Sequence, residues 1–307
     1  MESDVHRRSF LLLAGAGVSI VAMALVACGG DDGGGDSGGK PVVVATTVQI
    51  GALAKEVAGD RVVLITLLGP GVDPHKYELT AQHRQAIDKS KVILRNGIGL
   101  DAFLDKAVSS DGNKKKLVTV TDGISIRRGE GEEDPHVWLN PLNAKVMVTN
   151  IANALAKADP SNAGTYSANA EAYHKKLDTT DAEIKKLIDS IPQANRKMVT
   201  NHDAFGYFIE RYGLSFVGAV IPGVSTQSEA SAKDIANLVE TIKRERVRAI
   251  FAESSLDPKV AQQIAKDTGV RIVDDLYGDS LGEPGSGAET VDGMLLSNAK
   301  SIAEALK

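Results

Sequence analysis

Apolar and polar positions fall into blocks that alternate between two periods along most of the chain. Residues 42–47 read Val-Val-Val-Ala-Thr-Thr, a β-branched run with the pattern of a buried strand. Residues 50–57 switch to the three- and four-residue spacing of a helix, which ends near Gly59. A second strand spans 62–68 and stops at Gly69-Pro70-Gly71, a strong turn signal. A helix over 80–90 follows with Thr80 as its N-cap, then a third strand over 91–96 that ends at Gly97. Phe103, Leu104 and Ala107 predict a short helix, and 117–120 a fourth strand. Strands alternating with helices predict parallel βαβ units.

Two helical patterns then interrupt the alternation. Ala144, Val148, Ile151 and Leu155 share one side of a helix over 142–158. The next helix is predicted to start with Asp159 as N-cap and Pro160 at its first position. Tyr166, Ala170, Tyr173, Leu177, Ile184, Leu187, Ile188 and Ile191 carry one apolar stripe on to Pro192, with Thr180 its one weak position. At 1.5 Å per residue such a helix is about 40–45 Å long. One small α/β lobe does not need that length, so the helix is expected to link two. After Pro192 the alternation restarts, with strands over 197–200, 216–220, 247–252 and 270–273 and helices over 205–212, 232–244, 258–268 and 289–306. The expected fold class is α/β. Two βαβ lobes with parallel-type sheets, 41–159 and 192–307, are joined by a linking helix over 160–191.

The N-terminus departs from this pattern. Arg7-Arg8-Ser9-Phe10-Leu11 leads into an uncharged apolar run to Ala27, the layout of an export leader over 1–27. The arginine pair resembles a twin-arginine signal. Leu25-Val26-Ala27-Cys28 resembles the lipobox of bacterial lipoproteins. Cys28 is the only cysteine, so an intramolecular disulfide is excluded and lipid attachment is its expected role. From Cys28 to Lys40 the chain is rich in Gly and Asp, a flexible tether with nothing to bury. Leader, cysteine and tether together predict an exported, extracytoplasmic domain held at a membrane surface by Cys28. The leader's charges cancel, so the net charge of −5 belongs to the mature chain, and a mildly acidic surface argues against nucleic acid as a partner.

Candidate chemistry concentrates in the loops after strands. Of six histidines, two follow Asp-Pro, in Asp73-Pro74-His75 and Asp134-Pro135-His136. Proline fixes its own φ and biases the residue before it toward extended backbone, so Asp-Pro-His presents an imidazole stiffly. His202 follows the 197–200 strand directly, and Asp279 follows the last strand. Ligands of open α/β sheets sit beyond the carboxyl ends of strands. His75, His136, His202 and Asp279 therefore form a candidate site, and three imidazoles with one carboxylate match the ligand chemistry of a zinc-type centre. Glu253, at the end of another strand, reads either as a partner orienting a ligand imidazole or as a hydrogen-bond acceptor for a loop. His83 and His174 read as surface residues, and Trp138 as packing beneath the His136 loop.

These residues carry a family resemblance. Gly71-Val72-Asp73-Pro74-His75-Lys76-Tyr77-Glu78, Asn96-Gly97-Ile98-Gly99-Leu100-Asp101 and Asp134-Pro135-His136-Val137-Trp138-Leu139-Asn140-Pro141 supply it in the first half. Asn201-His202-Asp203-Ala204-Phe205-Gly206-Tyr207-Phe208, Phe251-Ala252-Glu253-Ser254-Ser255 and Leu276-Tyr277-Gly278-Asp279-Ser280-Leu281-Gly282 supply it in the second. The chain after the tether resembles the metal-binding lipoproteins of bacterial zinc and manganese ABC importers, the cluster A-I solute-binding proteins. The resemblance implies a metal buried between the two lobes, with His75, His136, His202 and Asp279 as its ligands. It implies no catalytic residues and no enzyme. The chain is expected to act as a monomer that delivers its metal to a membrane permease driven by a cytoplasmic ATPase.

Zinc is the expected cargo, with manganese the alternative. Manganese-binding members often carry Glu at the third position, where this chain has His202. Zinc members often carry a His-rich loop before the second ligand, where residues 129–133 here read Gly-Glu-Gly-Glu-Glu. Two other classes remain in view, a zinc hydrolase and a surface adhesin. A catalytic zinc keeps an open position for water, so coordination by Asp279 separates receptor from hydrolase. Nothing in the sequence speaks for adhesion.

Overall fold

Parallel strands and the helices between them set where the functional loops emerge. The computed structural model describes residues 39–129 and 131–307. The expected leader, Cys28 and the tether as far as residue 38 lie outside these residues. The first sheet contains β1 (Val42–Ala45), β2 (Val63–Thr66), β3 (Val92–Arg95) and β4 (Leu117–Thr119), with α1 (Val48–Ala58), α2 (Ala81–Lys89) and the single turn α3 (Asp111–Lys114) between them. Its order is β2-β1-β3-β4, all parallel. A small antiparallel hairpin, β5 (Arg128–Gly129) and β6 (Glu132–Glu133), then precedes the helices α4 (Pro141–Ala158) and α5 (Ala163–Asp189). The second sheet contains β7 (Lys197–Thr200), β8 (Ser215–Ala219), β9 (Ala249–Glu253) and β10 (Arg271–Leu276). Its helices are α6 (Gly206–Tyr212), α7 (Ala232–Glu245), α8 (Lys259–Thr268) and α9 (Val291–Leu306). The order β10-β9-β7-β8 is again all parallel.

Local chemistry places the helix ends. The Thr47 hydroxyl accepts from the Ile50 N–H at α1, and Thr80 accepts from His83 N–H at α2. Ser231 and Asp234 form a reciprocal capping box at α7. Gly213 and Gly269 end α6 and α8 in the left-handed region that glycine tolerates best.

One hydrophobic cluster runs through both sheets. Val43, Ala45 and Leu94 of the first sheet and Met198 and Phe251 of the second pack with α1, α4, α5 and α9. Smaller clusters cover the opposite faces, with Val44, Ile93 and Leu104 on one and Ile250, Leu238 and Ile264 on the other. The helix α5 is 27 residues, about 40 Å, and packs against α1, α4 and α9. Along it Asn169 donates to the Val57 carbonyl at 3.0 Å, and the Tyr173 hydroxyl donates to Asp292 at 2.8 Å. Asp181 accepts from the Tyr212 hydroxyl at 2.7 Å and pairs with Arg211.

The structure corrects four expectations. The helix predicted over 160–191 starts at Ala163 and stops at Asp189, because Pro160–Asn162 forms a 3-10 turn first. Asp159 does not cap the backbone. Its carboxylate instead accepts from the side chains of Ser161, Asn162 and Tyr166. The last strand continues past 273 to Leu276 through an irregularity in its pairing with β9, which brings the chain three residues closer to Asp279. The weak position Thr180 faces the core after all, at 6% exposure.

A core shared by both sheets predicts cooperative unfolding. Leu177→Ala on α5, a fully buried position, should cost about 2–5 kcal/mol. Denaturant unfolding should stay a single transition in both proteins, and two separated transitions would contradict a common core.

Candidate metal centre

All four donors predicted from sequence converge, each on a loop at the carboxyl end of a sheet. His75 follows β2, His202 follows β7 and Asp279 follows β10. His136 reaches the same place across the hairpin. The second sheet changes winding direction between β7 and β9, the position where α/β sheets open a crevice.

The two Asp-Pro-His turns are built alike, and the aspartates do as much as the prolines. Asp73 Oδ1 accepts the His75 N–H at 2.9 Å, and Asp134 Oδ1 accepts the His136 N–H at 2.9 Å. Asp134 Oδ1 also accepts from His136 Nδ1 at 2.7 Å. Asp73 Oδ2 accepts from the Thr226 hydroxyl at 2.6 Å, and the Gln227 amide donates to the His75 carbonyl. Residues of the second half thus hold the His75 loop. For His202, the Thr200 hydroxyl donates to its carbonyl at 2.6 Å, and Glu253 Oε1 stands 2.6 Å from its Nδ1. Glu253 Oε2 accepts the Asp279 N–H at 3.0 Å. Asp279 follows Gly278, whose carbonyl accepts from Trp138 Nε1 at 2.9 Å and from Gln49 at 3.3 Å. A side chain at Gly278 would put its Cβ 2.1 Å from the Glu253 carboxylate.

With carboxylates behind their Nδ1 atoms, His136 and His202 turn Nε2 inward. His136 Nε2 lies 3.4 Å from His75 Nε2 and 3.3 Å from His202 Nε2. Asp279 Oδ1 lies 3.2 Å from His136 Nε2, and Oδ2 lies 3.4 Å from His75 Nε2 and 3.3 Å from His202 Nε2. Metal–ligand bonds of about 2.0–2.1 Å in a tetrahedron give ligand–ligand edges of about 3.3–3.4 Å. Five contacts come close to that edge, with the Asp279 contacts split between its two oxygens, and one donor atom from each of the four residues lies within 4.8 Å of the others. Neither Asp279 oxygen receives an aligned hydrogen bond among the described residues, although the side chain is fully buried. A buried carboxylate is costly unless it is paired, and a cation at the centre would satisfy it.

Electrostatics in the metal-free site point the same way. Burial disfavours a charged His136 ring, but Asp279 and Asp134 overcome it and hold its pKa up to about 9. Burial likewise disfavours a charged His202, and Glu253 and Asp279 outweigh it. Burial would raise Asp279, yet His136, His202 and His75 keep it well below the carboxylate range.

Other expectations meet the structure unevenly. Glu253 lies against both His202 and Asp279, as above. Trp138 is fully buried with its ring centroid 5.5 Å from that of His136, and it also bonds across to Gly278. His83 and His174 stand apart from the four donors but are half-buried rather than solvated. Tyr77 contacts His83, and His174 lies 3.0 Å from the Lys145 carbonyl. Of the Glu-rich stretch, Glu132 and Glu133 form β6 and line a cavity of about 510 Å³ beside His75. Cys28 lies outside the described residues. The supporting carboxylates Asp73 and Asp134 were missed, although an Asp two residues before each histidine was the available signal. Asp101 was missed as well. It accepts from Thr46 and from the Asn96 and Gly97 N–H groups, and Asn96 in turn donates to the Pro135 carbonyl at 3.1 Å.

Known proteins similar to this chain are named for metal binding or metal transport. A family model described as zinc-uptake complex component A, periplasmic, matches residues 43–305. The manganese-binding lipoprotein MntA of Bacillus subtilis (strain 168) is 34% identical over 302 residues, covering 95% of this chain and 98% of that protein. The iron ABC transporter substrate-binding lipoprotein MtsA of Streptococcus pyogenes serotype M1 is 33% identical over 306 residues, covering 96% and 97%. The solved periplasmic zinc-binding protein TroA of Treponema pallidum superposes with a TM-score of 0.82 at 35% identity, covering 87% of this chain and 99% of that one.

Because metal binds deprotonated imidazole, loading must release protons at pH 7, below the raised pKa of His136. Affinity should therefore rise with pH through the raised pKa values of His136 and His202. Calorimetry of zinc binding in two buffers of different ionisation heat checks this, and identical heats would contradict it.

Proposed function

This chain belongs to the family of periplasmic zinc-uptake component A proteins, and from that premise we propose that it captures a divalent metal through His75, His136, His202 and Asp279. It is the substrate-binding component of a metal ABC importer, so a membrane permease and a cytoplasmic ATPase are its partners. The observation that carries the site is the set of contacts at 3.2–3.4 Å among three imidazoles and a buried carboxylate that receives no aligned hydrogen bond among the described residues. Four protein donors close a tetrahedral shell and leave no position for an activated water, which favours cargo over a hydrolytic metal.

Zinc is the cargo this donor set favours, since three imidazoles suit it better than a carboxylate-rich site would. A second reading has a specific observation behind it. Asp279 turns its two oxygens toward different histidines, so it can chelate with both and offer five donors to manganese. Relatives named for manganese, iron and zinc stand at nearly equal identity, so their names do not choose.

The segments are assigned as leader 1–27, tether 28–40 with lipid on Cys28, first lobe 41–159, linker 160–191 and second lobe 192–307. Lipoprotein relatives support an extracytoplasmic place at the membrane, and among the described residues no helix is long and apolar enough to cross one. The protein works as a monomer. The Arg7-Arg8 pair has no further support, and twin-arginine export is not part of the proposal.

Metal stripped with chelator should be regained at one equivalent per chain. A thousandfold excess of metal over Kd should stabilise the fold by about 4 kcal/mol. His75→Ala and Asp279→Ala should each weaken zinc binding by orders of magnitude while leaving the metal-free fold intact by circular dichroism. Unchanged stoichiometry and affinity in both would remove the four-donor assignment. Competition against excess manganese separates the readings, with retained zinc expected.

A further inference from the structure

Arg127 is not a donor, yet it touches the supports of the site in both halves of the chain. Asp134 spends Oδ1 on the His136 N–H and Nδ1, which leaves Oδ2 for Arg127 Nη1. The guanidinium is planar, so its other bonds fix the direction from which it grips Asp134. Its Nε donates to Glu210 Oε1 on α6 at 3.1 Å, and Nη1 lies 3.9 Å from Asp203 Oδ1 after β7. The Tyr207 hydroxyl accepts the Arg127 N–H at 3.1 Å and donates to the Asp134 carbonyl at 3.0 Å. Gly206 opens α6 with no left-handed backbone to require it, where alanine would suit a helix better. A Cβ there would sit 1.7 Å from Arg127 Nη1. The guanidinium therefore has a seat cut into the second half of the molecule.

The geometry points to Arg127 as a positioning residue that aims His136 at the metal through Asp134 and anchors that aim on α6. This rests on the metal-receptor reading. The two ends of the clamp differ in weight. The Asp134 side chain is fully buried and Arg127 is 18% exposed, whereas Glu210 is 63% exposed and screened by water. Removing the arginine strands a buried carboxylate. Removing Glu210 loses only a solvent-screened pair.

The test measures zinc affinity and the visible spectrum of the cobalt(II) form, which reports ligand geometry, for the full protein and its variants. Arg127→Met should weaken zinc about 10–100-fold, the usual size of an outer-shell loss at a metal site, and shift the cobalt bands. Arg127→Lys should recover part of the loss, and Glu210→Gln should cost no more than about fivefold. In an Asp134→Asn background, Arg127→Met should add nothing, because the arginine acts through that carboxylate. A full additive loss there, or an Arg127→Met protein with unchanged affinity and spectrum, would overturn the role. His136→Ala is the separate control. If it binds zinc at full strength, the four-donor site itself is wrong, whatever Arg127 does.

Discussion

A buried negative charge governs this structure. Asp279 is 2% exposed, and neither of its oxygens receives an aligned hydrogen bond among the described residues. A lone carboxylate in that position is expensive enough to be neutralised or paired. Three imidazole nitrogens surround it at 3.2–3.4 Å, and the pKa values of His136 and His202 are raised by the carboxylates beside them. In the proposed function a divalent ion would take over that charge balance.

The supports behind the donors follow from the same constraint. Each inward Nε2 needs its ring held. Asp134 does so for His136 by a hydrogen bond, and the Glu253 carboxylate stands 2.6 Å from His202 Nδ1. Glu253 serves twice, since it also accepts the Asp279 N–H. His75 differs. Its ring is 7% exposed, and its loop is held by Thr226 and Gln227 from the other half. Below the site the packing is continuous, with α5 and its neighbours filling one cluster through both sheets.

Much of this was legible in sequence because local rules decided it. Apolar runs became the strands, and Thr80 capped its helix. The four residues that meet were legible as imidazoles and a carboxylate placed after strands. The misses share a cause. Asp159 turned its carboxylate to side chains rather than to the helix backbone, a choice that Tyr166 and its neighbours make and a cap rule does not see. The hairpin at 128–133 has no apolar alternation to announce it. Arg127 meets Glu210 across 83 residues of chain, and no spacing rule reaches that far. Asp73 and Asp134 stood in plain view, but the proline beside each already explained a stiff turn, which hid the second job of the aspartate.

X-ray absorption at the zinc edge of the loaded protein tests the central claim most directly. The account predicts three imidazole nitrogens, seen by their ring scattering, and one carboxylate oxygen, all at about 2.0–2.1 Å. A shell with fewer than three imidazoles, or one completed by water in place of the carboxylate, would contradict it.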